Sequence, residues 1–373
     1  MRKKYDFLII GAGIYGLYAA KLLEKKHSVL VIDSDHEPLM RASKVNQARL
    51  HNGYHYPRSK ETAIQASTHF DRFLGDFEEA IYKDFNQIYA VSSSGSKVSS
   101  EEFEEFCSKV KIPLERSVEV ERDLFTDSSI QKAYKTKEYA IRYDIVSKKM
   151  MADIKRSTVL FNTSVIVVDE KETSFEVLLS NGYSITVNGV INATYGSINQ
   201  VNKLFNKPFE SMKYELCELV LCRPPKNIVN KGITVMDGDF FSIMPFGKED
   251  LYSLWSVKHS VIETSTSSTP AFKCQDTKTL CNSNSLKNCD MCPSKPKTNV
   301  SRMRDLLEQY LVDPKIEYVD SLFTVKAIST AAEIDDSRLV YFRESSDNPY
   351  YAHVFSGKIN CIYELDEKLR RFL

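Results

Sequence analysis

Apolar positions along the chain follow two periods. Residues 5–10 (YDFLII) form a short, nearly continuous apolar run, the pattern of a parallel strand buried on both faces. Residues 17–26 have helical composition, and 27–32 (HSVLVI) predict a second strand that ends at Asp33. Ala63, Ala66, Phe70, Phe73, Leu74, Phe77 and Ile81 recur at helical spacing and predict a helix over 62–82. Residues 101–110 and 144–156 predict two more, the second with Ile145, Met150, Met151 and Ile154 as its apolar face. Residues 175–179, 184–187 and 190–193 predict short strands, the first two joined at Asn181-Gly182, a pair that favours a tight hairpin turn. Residues 216–222, 240–244 and 251–258 predict strands of a second sheet, and the amphipathic run 300–311 stops before Pro314. No internal repeat is present.

Composition narrows the class. The chain has 373 residues, 42% of them apolar and 11% aromatic, enough for a sizeable core and against wholesale disorder. Fifty basic and 50 acidic residues balance, so nucleic acid and anionic membranes have no electrostatic claim as main partners. Arg2, Lys3 and Lys4 precede the uncharged run 7–20, in the order of a secretory signal, but Asp6 interrupts the junction and the run carries patterned glycines. That run is shorter than the roughly 18 residues that span a bilayer, as is every other apolar segment. The expectation is a soluble, cytoplasmic protein.

Glycine is scarce, at 13 residues, yet Gly11, Gly13 and Gly16 cluster. Gly11-Ala12-Gly13-Ile14-Tyr15-Gly16 fits G-x-G-x-x-G between a predicted strand and a predicted helix, with Asp33 closing the next strand. Gly11 permits the tight turn, Gly13 lets backbone approach a pyrophosphate, and Gly16 lets the helix pack on the strand. The helix N-terminus offers unpaired N–H groups to phosphate. Asp33, followed by Ser34, is placed to accept hydrogen bonds from the adenosine ribose hydroxyls. The motif predicts a dinucleotide site without separating FAD from NAD.

Residues 41–58 read RASKVNQARLHNGYHYPR. With Ser43, Asn46, Gln47, His51, Gly53 and Tyr56 in these places, the chain resembles the FAD-dependent oxidoreductases of the D-amino acid oxidase superfamily, which includes sarcosine oxidases, glycerol-3-phosphate dehydrogenases and L-2-hydroxyglutarate dehydrogenases. The resemblance implies that Arg41, Ala42 and Ser43 contact the pyrophosphate and that Asn46, Gln47, Arg49 and Leu50 pass the isoalloxazine ring. Residues 162–168 are similar to the strand that touches adenine near Val165. Residues 190–196 (VINATYG) resemble the strand ending at Ala193, Thr194 and Gly196 beside the cofactor. Gly357, Lys358, Ile359 and Asn360 resemble a turn whose following helix, here 361–372, aims its N-terminus at the flavin. The shared order of these segments favours FAD over NAD. The implied fold is α/β: a Rossmann-like FAD-binding domain (1–75, 141–205 and 325–373) interleaved with an α+β substrate domain on a mixed sheet (76–140 and 206–324).

Four of eight cysteines, Cys274, Cys281, Cys289 and Cys292, fall in a Ser/Thr/Asn/Lys-rich loop at 263–299 with the spacing C-x6-C-x7-C-x2-C. Such a segment has few apolar residues to bury, and four thiolates suit tetrahedral zinc, so a structural zinc site is expected. An iron–sulfur cluster, or free or disulfide-linked thiols in a disordered loop, are the alternatives. Cys107, Cys217, Cys222 and Cys361 lie in apolar segments and read as core residues.

With FAD bound, the implied chemistry is hydride transfer to flavin N5 from a small amine, amino acid or 2-hydroxy acid. His51 is a candidate base or orienting donor, or a residue that fixes its local turn. Arg338 resembles a late arginine that meets a substrate carboxylate, or it pairs with Asp335 or Asp336. Lys258 resembles the lysine that activates dioxygen in sarcosine oxidases, and Tyr54, His55 and Tyr56 are candidate pocket walls. The alternative function is a flavoprotein without substrate oxidation, in which FAD or the four-cysteine loop serves assembly or partner docking. The electron acceptor stays open.

Overall fold

A computed structural model describes residues 3–275, 281–330 and 338–373. Its first sheet has eight strands. Lys3–Ile10 lies at the centre, parallel to Val29–Ile32 on one side and to Ser184–Asn192 on the other. Thr158–Leu160 extends the sheet past Val29–Ile32. Phe175–Leu179 adds antiparallel to Ser184–Asn192 and Val165–Glu170 antiparallel to Phe175–Leu179, while Tyr350–Phe355 joins Ser184–Asn192 in parallel, followed by Tyr341–Asp347. The apolar run at the start of the chain thus becomes a strand whose Leu8 and Ile9 are fully enclosed. Burial on both faces is what a continuous rather than alternating pattern requires. The hairpin turns at Gly182, which has φ of +84°.

The second sheet has nine strands in mixed orientation. Met212–Arg223 pairs antiparallel with Lys248–Ser256, Val261–Ser265 and the long Glu317–Ser329. Lys231–Met236 pairs parallel with Asn86–Ser92, and the rest of its pairings are antiparallel. The helix Val300–Tyr310 packs Met303, Leu306 and Leu307 under this sheet. Strands of the first sheet come from both ends and the middle of the chain, and those of the second from the stretches between, as the α/β expectation required. Glu317–Ser329 runs through position 325, where the sequence placed a boundary, as one continuous strand of the second sheet.

Three expected elements change. The helix over 62–82 is Lys60–Asp76, and Ile81–Tyr82 instead pairs with Tyr139–Ile141 in a small third sheet that also holds Arg49–Leu50. The strands 184–187 and 190–193 are one strand, Ser184–Asn192, because two partners share its edge at different heights. The helix 361–372 is broken into 3₁₀ turns at Asn360–Tyr363 and Arg370–Phe372 around a short α-helix, Glu364–Lys368. No described helix is long and apolar enough to cross a membrane.

The helix Ile14–Leu23 leaves the central strand through the glycine turn. Gly11 has φ of +106°, and a Cβ on Gly16 would stand 1.9 Å from the Gly11 carbonyl oxygen. We expect Gly16→Ala to destabilise the fold by about 1–3 kcal/mol, as overpacking does, seen as a lower urea midpoint with unchanged slope. An unchanged midpoint would show that helix and strand can part without penalty.

Candidate cofactor and active site

The two large sheets enclose one continuous cavity of about 1170 Å³. One end is built by the first sheet. Gly11, Gly13, Ile14 and Tyr15 line it at the turn, Asp33 and Ser34 at the end of the second strand, and Val165, Ala193, Thr194 and Gly196 at neighbouring strand ends. Asp33 is held in place by backbone donors: Ala12 N–H to Oδ2 at 2.6 Å and Asp35 N–H to Oδ1 at 2.9 Å. Burial raises its pKa while these donors oppose the shift. Gly13 presents bare backbone, with Ser43 Oγ, 3.3 Å from where a Cβ would sit, as its near neighbour. The same hydroxyl accepts from Ile14 N–H at 3.2 Å. These features fit a dinucleotide, which needs backbone close to its phosphates and an acceptor for its ribose.

The middle of the cavity is lined by Arg41, Ala42, Ser43, Asn46, Gln47 and Arg49 from one side, and by Gly357, Lys358 and Ile359 from the other. Tyr15 Oη donates to the Lys358 carbonyl at 2.6 Å, tying the first helix to the last turn. Arg41 is already engaged: its Nε meets Asp35 Oδ2 at 2.8 Å, and its other nitrogens reach Ser34 Oγ at 2.8 Å and the Leu286 carbonyl at 3.2 Å.

Several expected cofactor contacts do not line the cavity. Ala12 and Gly16 sit behind the turn, and Leu50 is core. Gly53, at φ +103°, serves close packing, since a Cβ there would be 2.8 Å from the Ala63 carbonyl. Asn360 faces inward, its Nδ2 donating to the carbonyls of His51 at 3.1 Å and Ala66 at 2.9 Å. Sequence order brought these residues to the site, but packing turned them away from its surface.

The far end is walled by the second sheet, through Thr234, Asp237, Phe241, Ser242, Trp255 and Lys326, with Arg338, Tyr341, His51, His55 and Tyr56 opposite. His51 and Arg338 both line this cavity. Asp335 and Asp336, the alternative partners of Arg338, lie outside the described residues. Tyr54 is fully buried and does not line the cavity, whereas His55 and Tyr56 do, although Tyr56 belongs to the same buried apolar cluster. Lys258 is corrected: its strand ends at Ser256 in a turn closed by Ser260 N–H to the Ser256 carbonyl at 2.9 Å. That turn puts Lys258 in a separate shallow depression with Asp239, His259 and Arg302. On the second-sheet wall the cavity is instead lined by Lys326, among other lysines, its Nζ 3.3 Å from the centroid of the Trp255 ring.

A buried polar cluster underlies this end. Arg49 and Glu138, 1% and 0% exposed at their side chains, approach to 3.5 Å. Glu138 accepts from Tyr89 Oη at 2.7 Å and from Asn52 N–H at 2.9 Å, and its Oε1 lies 3.6 Å from His51 Nδ1. Burial raises the Glu138 pKa against the pull of Arg49. His51 is held well below the usual histidine value by desolvation and by the nearby Lys358 and Arg49 charges. His51 Nδ1 and His55 Nδ1 are buried without hydrogen-bond partners among the described residues. Lys358 stacks its Nζ 4.1 Å over the Tyr56 ring, and burial lowers its pKa to about 7. The Gly-Lys turn marked this lysine only as a backbone contact; nothing in the sequence signalled its depressed amine. Glu138 and Trp255 fell in segments without recognisable motifs.

The cysteine loop departs from expectation. No disulfide joins the eight cysteines, and Cys107, Cys217, Cys222 and Cys361 are buried as predicted. Cys274, Cys281, Cys289 and Cys292 share one neighbourhood, and burial with the adjoining thiols pushes Cys289 up to about 12. Yet among the described residues no three His, Cys, Asp or Glu side chains form a group that could hold a metal ion. Zinc and an iron–sulfur cluster therefore find no support. Local bonding explains why: Cys281 Sγ accepts from Lys287 N–H at 3.4 Å, and Cys289 Sγ points to the Lys287 carbonyl at 3.9 Å. The loop obtains its burial by packing Phe272, Cys281 and Leu286 against Ile198, Val325 and Phe355.

A glycine turn at a strand end, an acidic residue on the next strand and one cavity shared by two sheets define a dinucleotide-dependent oxidoreductase architecture. Residues 6–257 match the family described as DAO, FAD dependent oxidoreductase, and the chain belongs to that family. FAD is therefore its cofactor. The L-α-glycerophosphate oxidase of Mycoplasma pneumoniae, solved with FAD bound, is similar at TM-score 0.74 and 13% identity, over 100% of this chain and 95% of that one. Glycine oxidase from Geobacillus kaustophilus is similar at TM-score 0.70 and 13% identity, over 99% and 94%. L-proline dehydrogenase from P. horikoshii is similar at TM-score 0.67 and 14% identity, over 97% and 91%. At such identities the likeness is one of fold. The FAD-dependent monooxygenase FPY4 of Fusarium mangiferae is 38% identical over 89 residues, and the match spans only 24% of either protein.

Two outcomes are expected. Glu138→Ala strands the Arg49 charge in the interior and lowers stability by about 3–5 kcal/mol, measured by urea denaturation. In the cofactor-free protein, competitive acylation of Lys358 follows an apparent pKa near 7, against the usual 10.5. Since the folded value is depressed, the unfolded chain binds more protons between pH 7 and 10.5, and this lysine makes stability rise with pH across that window. A labelling midpoint near 10.5 would show that its burial has no electrostatic effect.

Proposed function

We propose that the protein is an FAD-dependent oxidase or dehydrogenase that takes a hydride from a C–H bond bearing an amine or hydroxyl, on a small amine, amino acid or 2-hydroxy acid. One observation carries this reading. The cavity does not end where a dinucleotide would be held, but continues into a chamber walled by the second sheet, with ionisable side chains facing it. Bound FAD supplies the hydride acceptor. The chain's residues supply position and charge. Gly11, Gly13, Ile14 and Tyr15 cradle the phosphates, Asp33 with Ser34 holds the ribose, and Val165 touches adenine. Arg41 to Ser43, with Ala193, Thr194 and Gly196, bound the pyrophosphate. Asn46, Gln47 and Arg49 flank the ring from one side, and Gly357, Lys358 and Ile359 from the other.

In the chamber His51 is the base. Its depressed pKa keeps the imidazole neutral at physiological pH, so it can accept the proton that leaves the substrate amine or hydroxyl. Arg338 offers a guanidinium fork to a substrate carboxylate. The domain division read from the sequence is part of this proposal, and so is a cytoplasmic location, since eight cysteines without a disulfide suit a reducing compartment.

Anaerobic titration of the yellow holoprotein with amines, amino acids and 2-hydroxy acids tests the reading: one of these classes bleaches the flavin. Bleaching by none of them would favour a flavoprotein that uses FAD for assembly or partner docking. With the active substrate, His51→Gln is expected to slow reduction about 10²-fold or more. Because the pKa of His51 lies well below 6.5, the wild-type rate should not fall as pH drops through that value. A midpoint near 6.5, with a substrate that does not titrate there, removes His51 from the role.

A further inference from the structure

Segment 281–289 belongs to the stretch of chain that builds the second sheet, yet its polar contacts are with the first. Gln200, on the helix Ile198–Leu204 that follows the Ala193–Gly196 turn, donates from Nε2 to the carbonyls of Asn282 at 3.3 Å and Ser283 at 2.9 Å. Its Oε1 accepts from Leu286 N–H at 3.2 Å. Asn288 Nδ2 donates to Asp35 Oδ2 at 3.3 Å, and the Leu286 carbonyl accepts from Arg41 at 3.2 Å. Gln200 and Asn288 are both buried. Asn282 and Ser285 exchange backbone hydrogen bonds at 3.0 Å, which folds the tip into a tight turn. Leu286 comes down on Gly196, where an added Cβ would be 3.6 Å from its Cδ2. The result is a wall: Asn284, Ser285, Leu286, Lys287 and Cys289 line the cavity at the end formed by Asp33, Ser34 and Val165.

We propose that residues 281–289 are a clasp over the adenosine end of the FAD, latched by Arg41, Gln200 and Asn288, and that retention of the cofactor depends on it. The proposal rests on the FAD reading and adds a binding element outside the glycine motif. Its physics is linkage. A polar loop with few apolar side chains gains little from closing by itself, so closure and cofactor binding favour each other. Arg41 is shared between the clasp and Asp35, so the loop and the phosphate-binding turn are set by one guanidinium. The cysteines gain a purpose without a metal: Cys281 Sγ, held by Lys287 N–H, fixes the returning limb of the loop.

The experiment reconstitutes the apoprotein with FAD, following flavin fluorescence, and compares hydrogen exchange of peptides covering 281–289 with and without FAD. Exchange in this segment is expected to slow at least tenfold on FAD binding. The Gln200→Ala/Asn288→Ala double variant is expected to bind FAD at least tenfold more weakly, through faster release, while its apoprotein melts cooperatively. Exchange in 281–289 that is indifferent to FAD, in wild-type protein that demonstrably binds it, overturns the clasp. So does a folded double variant that retains FAD as tightly as wild type. A wild-type apoprotein that takes up no FAD instead overturns the cofactor assignment beneath it. The exchange measurement needs no substitution, so it decides the matter even if the double variant fails to fold.

Discussion

The closest constraint in the molecule is the approach of the first helix to the first strand. The Gly11 carbonyl occupies the space that any side chain at position 16 would need, and Ala193 closes on Gly11 from the neighbouring strand, 2.7 Å from where its Cβ would be. The first strand and helix and the distant strand ending at Ala193 thus converge with backbone against backbone. Because no side chain intervenes, the helix N-terminus points its free N–H groups into the cavity and the strand ends form its floor. Asp33, the Arg41–Ser43 turn and the Gly357–Ile359 turn all take their places around this convergence.

Electrostatics at the other end follow from enclosure. Arg49 and Glu138 are shut away from solvent beneath the second-sheet end of the cavity, so charges there depend on one another rather than on water. Arg49 and Glu138 neutralise each other and recruit Tyr89, Thr234 and Ser242 as hydrogen-bond partners. Burial, helped by the charges of Lys358 and Arg49, holds His51 neutral. A neutral imidazole beside a lysine with pKa near 7 is an arrangement that solvent would erase. The site's proton-handling capacity is thus a property of the packed interior.

How much was legible depended on the range of the interactions. Backbone requirements at Gly11 to Gly16 and the doubly buried first strand are local, so they showed as spacing and apolar runs. The cofactor segments at 41–47, 165, 193–196 and 357–359 were recognised by their order, and they do line one cavity. Gly53 and Asn360 were misjudged because motif position does not say which way a residue faces. Lys258 was misjudged because the strand bearing it ends two residues early. The four cysteines suggested a metal on count and spacing, whereas among the described residues they form no group that could hold one, and Cys281 and Cys289 make local contacts instead. Glu138, Trp255 and Lys326 left no trace, since their meaning lies in partners more than fifty residues away.

By itself, then, the sequence determined the α/β framework and the dinucleotide turn, because each rests on short-range geometry that residue type dictates. Only the tertiary structure decided which lysine faces the chamber, which histidine is stripped of water, and where the cysteine loop docks. Those outcomes depend on how the second sheet lies over the first, which puts Trp255 and Lys326 on one cavity with His51 and Arg338, and no local pattern encodes that juxtaposition.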